Sequence, residues 1–257
     1  MSHDFVIGVS LKMYFSHART LEWCRRVGAL AAAHPAIRTG ATELVALPTF
    51  PALVPSRPLL GPSIALGAQD VAATDAGPHT GEVGGGELAE VGCTFAEIGH
   101  AERRRMGETD AIVGEKVSSA LRHGLVPLVC VGEAERADPR TAATVVADEL
   151  RRVLAPSRAR GQIGRVVVAY EPHWAIGRSE AAPTEHISTV CRHLRSTLTE
   201  DGHPPESRVL YGGSAGPGLL TELGDAVQGL FLGRFAHDPD ALTRVLDETL
   251  ALKEGSS

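Results

Sequence analysis

A glutamate in Tyr170-Glu171-Pro172, a histidine in Gly99-His100-Ala101 and a lysine at position 12 are the residues of this chain best suited to moving a proton. A carboxylate is a candidate base for a carbon-bound proton, and an imidazole is a candidate donor to a carbonyl oxygen. The lysine adds positive charge for an anionic substrate. Two glycine turns, Gly212-Gly213-Ser214 and Gly233-Arg234, let backbone N–H groups come close to a phosphate. As a set, these residues suit proton abstraction α to a carbonyl, with the enediolate held by fixed donors. That chemistry needs no cofactor and no metal. Singly, each residue is ordinary: a lysine after a strand usually faces water, and a glutamate before proline usually ends a strand. Arg103-Arg104-Arg105 reads as a solvated helix face.

What gives the set its weight is where it falls in the elements. Short β-branched runs recur along the chain at 5–10, 43–47, 63–68, 95–99, 126–131, 165–170, 208–211 and 229–232. Eight units in 257 residues leave roughly 32 each, enough for a strand, a helix and two loops. Runs such as Val166-Val167-Val168-Ala169 are apolar without alternation, which marks strands buried on both faces of a parallel sheet. Amphipathic stripes between them predict helices over 20–33, 110–122, 141–154, 184–198 and 240–252. Asp238-Pro239 reads as a cap followed by proline in the first turn. An open sheet would announce GxGxxG or a P-loop after a strand, and neither is present. Gly84-Gly85-Gly86 reads as a flexible turn. The expectation is α/β, a single-domain (β/α)8 barrel spanning residues 1–257. Chemistry in such a barrel sits at the C-terminal strand ends, where Lys12, His100, Glu102, Glu171 and the two glycine turns all fall.

Composition excludes several alternatives. The apolar fraction is 43% and the charged fraction 22%, which suits a globular chain rather than a disordered one. A net charge of −6 argues against nucleic acid and anionic membranes as partners, while leaving a small anionic substrate open. Cys24, Cys93, Cys130 and Cys191 form no CxxC pair, and the opening residues lack a leader-like apolar stretch. A cytoplasmic location with reduced thiols is expected.

The motifs resemble those of triosephosphate isomerases. Ala169-Tyr170-Glu171-Pro172-His173-Trp174-Ala175-Ile176-Gly177 is similar to that family's signature around its catalytic glutamate and lid. Ile98-Gly99-His100-Ala101-Glu102-Arg103-Arg104 resembles the stretch holding its electrophilic histidine. Lys12-Met13, Cys130-Val131-Gly132-Glu133 and Tyr211-Gly212-Gly213-Ser214 match further segments in order. The resemblance implies a TIM barrel in which Glu171 moves the proton and a neutral His100 polarises the carbonyl. It also implies that Lys12 contacts substrate, with Glu102 nearby. Backbone N–H groups of Gly177, Ser214, Gly233 and Arg234 would bind phosphate, and a lid over 172–182 would close on a small phosphorylated sugar. The long loop that begins at Gln69 and ends at Glu82 implies a homodimer, with His79 standing where the family carries a bulky aromatic.

Departures bear on the substrate. Ser10 replaces the family's substrate-facing asparagine, Ala101 its serine after the histidine, and Arg234 the second glycine of its eighth loop. Arg234 either adds a bidentate phosphate contact or points outward while its N–H keeps the family role. Three readings follow: a triosephosphate isomerase, a relative acting on a longer ketose phosphate such as erythrulose phosphate, or a non-catalytic phosphate-binding barrel.

Overall fold

The computed structural model describes residues 3–255. Its first half runs β1 (Phe5–Ser10), α1 (His17–Ala33), α2 (Pro35–Arg38), β2 (Thr42–Leu47), α3 (Leu53–Leu60), β3 (Ile64–Ala68), α4 (Gly85–Glu90) and β4 (Phe95–Ile98). Then come α5 (Ala101–Arg105), α6 (Asp110–Arg122), β5 (Val126–Val131), α7 (Pro139–Ala159) and β6 (Val167–Tyr170). The chain ends with α8 (Thr184–Glu200), β7 (Arg208–Tyr211), α9 (Leu219–Leu223), β8 (Gly229–Leu232) and α10 (Pro239–Gly255). All eight strands are parallel and in sequence order. The sheet closes where β1 pairs with β8 in the register Val6↔Gly229 to Val9↔Leu232. The expected TIM barrel is therefore the observed fold.

Strand alternation divides the core in two. Inside the barrel lie Val6, Val45, Phe95, Leu128, Val167, Leu210 and Phe231, packed as one cluster. The opposite faces, among them Ile7, Leu44, Ile98, Val129 and Val168, pack outward against the helices. Burial on both sides explains why the strands read as unbroken apolar runs. Strand bounds depart from expectation by a residue or two at β2, β3, β4 and β6. At β6 the N–H of Val166 is taken by Ser207 Oγ (3.2 Å) before the ladder begins. Gly99, read as strand, turns out of β4 in the left-handed region at φ 74°.

Helices α1, α7 and α10 begin one to three residues earlier than the apolar stripes suggest, whereas α6 and α8 begin where expected. Ser16 Oγ accepts from the N–H of Arg19 to start α1, and Asp138 Oδ1 accepts from Arg140 and Thr141 to start α7. Two readings are corrected. Gly84-Gly85-Gly86 is no flexible turn but the start of α4; a Cβ on Gly85 would lie 2.8 Å from the His123 ring. Of the arginine run only Arg105 is exposed as expected; Arg103 and Arg104 are half-buried rather than solvated. Arg103 pairs with Asp70 (2.7 Å) and Glu108, and Arg104 with Asp110 and Glu149 (both 2.7 Å). These pairs tie α5 to α6, α7 and the loop after β3.

Candidate active site

The residues singled out from sequence converge at the C-terminal mouth of the barrel. Ser10, Lys12, Glu102, Glu171, Gly177, Gly212, Ser214, Gly233 and Arg234 line one cavity with Tyr14, Ile176 and Phe231. Lys12 follows β1 with φ 49°, a left-handed conformation rare for a residue with a side chain. Its carbonyl accepts from Gln69 Nε2 (3.3 Å), which also donates to Leu47 O (2.9 Å). The lysine Nζ reaches Glu102 Oε1 at 3.0 Å. Burial alone would lower the Lys12 ammonium, but the carboxylates of Glu171 and Glu102 outweigh it and hold the group above its ordinary value. Lys12 is therefore a fixed positive charge at the cavity wall.

His100 caps α5. Its Nδ1 accepts the backbone N–H of Glu102 at 3.1 Å, so in the neutral ring the proton sits on Nε2. Nε2 faces Glu171 Oε2 at 3.4 Å, and both side chains are about 5% exposed. Neither atom has a hydrogen-bond partner among the described residues. Buried polar atoms are almost always paired, so two unsatisfied ones facing each other at the barrel mouth are the candidates for reacting groups.

Glu171 is placed by the end of β6: its N–H donates to Val131 O (2.9 Å), and Pro172 ends the strand. Gly212 lets its carboxylate lie flat against β7, since a Cβ there would sit 2.7 Å from both Glu171 Cγ and Oε1. Gly213 similarly admits the Tyr211 ring, its missing Cβ leaving room for the hydroxyl.

The segment after Glu171 is held at both ends. Glu133 accepts from Trp174 Nε1 (2.8 Å) and Tyr170 OH (3.1 Å), with His186 Nε2 also at 3.1 Å. At the far end Tyr211 OH accepts the N–H of Ala182 at 2.9 Å. Between these, residues 177–180 are exposed, and Ser214 Oγ faces the carbonyls of Ala175 (2.9 Å) and Arg178 (3.0 Å). Ser214 itself adopts φ 57°. Gly177, Ser214, Gly233 and Arg234 thus surround the outer part of the cavity, and Arg234 is exposed at its rim.

Several residues of this region were not singled out from sequence, Tyr14 and Phe235 among them. Phe231 and Ile176 line the cavity, and Glu97 lies behind Ser10, which donates to its Oε2 at 2.8 Å. A carboxylate within the apolar run Phe95-Ala96-Glu97-Ile98 was the available signal. Burial pushes Glu97 up to about 7, against the pull of His100, the Ser10 hydrogen bond and Lys12. Among the described residues no cluster of three His, Cys, Asp or Glu side chains is arranged to hold a metal. A carboxylate and an Nε2–H donor on one side of a cavity, with backbone turns on the other, can shift a proton between adjacent carbons of a small anion.

Residues 5–249 match the family described as triosephosphate isomerase. An L-erythrulose-1-phosphate isomerase of Pectobacterium atrosepticum is 47% identical over 253 residues, 98% of either chain. A triosephosphate isomerase of Alkalilimnicola ehrlichii is 40% identical over 215 residues, 80% of this chain and 85% of its own. That of Ralstonia nicotianae is 45% identical over 180 residues, 68% of this chain and 72% of its own.

Proposed function

The chain belongs to the triosephosphate isomerase family, and we propose that it isomerises L-erythrulose 1-phosphate through an enediolate. The observation that carries the substrate choice is coverage. The erythrulose-phosphate relative aligns over 98% of this chain, whereas the two triose enzymes align over 80% and 68%. Coverage thus supports the four-carbon reading over the triose that the sequence puts first. Ser10 and Arg234, two of the departures from the family pattern, both line the cavity, which supports an altered substrate.

The proposed step follows from the substrate's chemistry. Glu171 takes the proton from C3, breaking that C–H bond, and the electron pair forms a C2–C3 enediolate. The Nε2–H of His100 donates to the carbonyl oxygen, and the imidazole passes a proton between O2 and O3. Glu171 then returns its proton to C2, leaving the carbonyl on the old C3. Lys12, paired with Glu102, offsets the developing negative charge. Backbone N–H groups of Gly177, Ser214, Gly233 and Arg234 hold the phosphate, while Trp174 and Tyr211 anchor the segment that closes over it. On the three-carbon dihydroxyacetone phosphate the same step would yield an aldose.

The test measures kcat/KM for L-erythrulose 1-phosphate and dihydroxyacetone phosphate side by side, with Glu171→Ala as the control. Faster turnover of the four-carbon ketose is expected, lost by several orders of magnitude in the variant. Turnover of the triose alone returns the assignment to triosephosphate isomerase. No turnover with phosphate-ester binding intact leaves a non-catalytic barrel. We further propose a cytoplasmic homodimer through the loop from Gln69 to Glu82. Residues 74–82 of that loop are exposed, and so is Met13, at 92%. A particle of one-chain mass in light scattering would end the dimer proposal.

A further inference from the structure

Glu97 has no part in the proton transfer described above, yet it is the most unexpected side chain near it. It lies two residues along β4 from Phe95, on the strand face that packs into the barrel interior, and is 3% exposed, with His100, Glu171 and Lys12 acting on it electrostatically. A carboxyl with one side-chain hydrogen bond is a poor tenant of such a space, where an aliphatic side chain would pack without loss. Among the described residues its side-chain hydrogen-bond partner is Ser10, and Ser10 forms part of the cavity wall beside Lys12, Glu171 and Gly212. The pair therefore reaches from the barrel interior to the cavity floor.

Its position relates to the two ends of the substrate. The phosphate turns lie in the loops beyond β7 and β8, whereas Ser10 and Glu97 are still within β1 and β4, below the reacting groups. A ketose held by its phosphate, with its reacting carbons between Glu171 and His100, directs what lies beyond those carbons toward this floor. In a three-carbon ketose only hydrogen is there; in a four-carbon ketose there is a hydroxymethyl. The hydroxyl of Ser10 has a single proton, committed to Glu97, so its lone pairs are left to accept.

We propose that Ser10, oriented by Glu97, accepts the terminal hydroxyl of a four-carbon ketose phosphate, and that this pair sets the site's preference over the triose. The inference rests on the isomerase reading above. Glu97 is a positioning residue: ionised, either oxygen accepts the Ser10 proton, and neutral, its carbonyl oxygen does. A site built to pair a substrate hydroxyl disfavours the analogue that lacks it, because the buried partner is left unsatisfied.

The test is the ratio of kcat/KM for L-erythrulose 1-phosphate over dihydroxyacetone phosphate in five proteins: the unaltered chain, Ser10→Ala, Glu97→Leu, the double variant and Glu97→Gln. The ratio is expected to fall about tenfold or more in Ser10→Ala and in Glu97→Leu. The double variant should be no worse than either, since the two act as one unit. Glu97→Gln, which keeps an acceptor oxygen, should retain most of the preference. Binding of erythritol 4-phosphate against glycerol 3-phosphate supplies the same ratio where triose turnover is too slow to read. Equal losses on both substrates, an unchanged ratio in Glu97→Leu or additive losses in the double variant would each overturn the proposal. If the unaltered enzyme fails on the four-carbon ketose, the isomerase assignment falls instead; if it turns over and the ratio ignores these variants, only the Ser10–Glu97 inference falls.

Discussion

The backbone N–H of Glu102 donates to Nδ1 of His100 at 3.1 Å, and this one bond decides which face of the imidazole is a donor. With Nδ1 accepting, the ring's proton stands on Nε2, 3.4 Å from the Glu171 carboxylate. The proposed base and electrophile are thereby aimed at one place. The short helix α5, which supplies that N–H, is held in turn by the ion pairs of Arg103 and Arg104.

His100→Gln is expected to lower kcat by roughly 10²–10⁴-fold, the usual span for a positioned proton-transfer group, with circular dichroism unchanged. In the unaltered protein, nitrogen NMR of the neutral ring should show Nδ1 unprotonated and Nε2 protonated. A neutral ring with its proton on Nδ1 would contradict the assigned tautomer.

Gly212→Ala tests the close approach of β7 to the base. The new Cβ would stand 2.7 Å from Glu171 Cγ and Oε1, so the carboxylate must move. Displacement of a reacting group by about 1 Å costs on the order of 100-fold in kcat. We expect that loss with the barrel still folded. A variant with kcat within threefold of normal would show that Glu171 has freedom the geometry denies it.

Tyr211→Phe removes the acceptor of the Ala182 N–H, at 2.9 Å, and so loosens the far end of the segment over the site. In the proposed reaction the enediolate carries an allylic phosphate, and exposure to water favours its loss. Inorganic phosphate released per isomerisation should rise several-fold in this variant, measured by colorimetric assay alongside product formation. Stability should fall by about 1 kcal/mol, the net worth of one such bond. Unchanged phosphate release would show that Tyr211 does not help to seal the site.

Glu97 makes stability depend on pH. Burial raises its folded value to about 7, above the ordinary 4.5, so the folded state holds a proton that the unfolded state has lost. Stability from this group is thus fully present below about pH 4.5 and declines as pH rises through 7, by on the order of 3 kcal/mol in all. Glu149, also pushed up to about 7 by burial, adds a decline of the same sign. Urea unfolding of Glu97→Gln beside the parent isolates the first. The variant should be more stable than the parent at pH 8, with the gap shrinking toward pH 5. A gap independent of pH would refute the raised value.

Much of this architecture was open to reading in the chain itself. The apolar runs at β1, β5, β7 and β8 coincide with the observed strands, because burial on both faces leaves a local mark in residue type. Helices with a long apolar stripe, such as α6, were legible for the same reason. The extents of the short ones were not. Helix α3 carries prolines in Leu53-Val54-Pro55-Ser56-Arg57-Pro58, and α5 has too few turns to show a period. What holds them is long-range: Arg57 donates to Ile64 O at 3.0 Å, and the arginines of α5 find carboxylates on other elements.

The order of residues alone determined that a lysine, a histidine, a glutamate and two glycine turns follow particular strands, and a closed parallel barrel must bring such positions to one mouth. It could not determine which of them touch. Ser10 and Glu97 are 87 positions apart in sequence, and nothing in either neighbourhood announces the other. Closure of the sheet sets that pairing, along with the left-handed turn at Lys12 and the tilt of Glu171 against Gly212. Periodicity records how each segment meets its own layer; contacts across the barrel axis exist only once all eight strands have fixed their register.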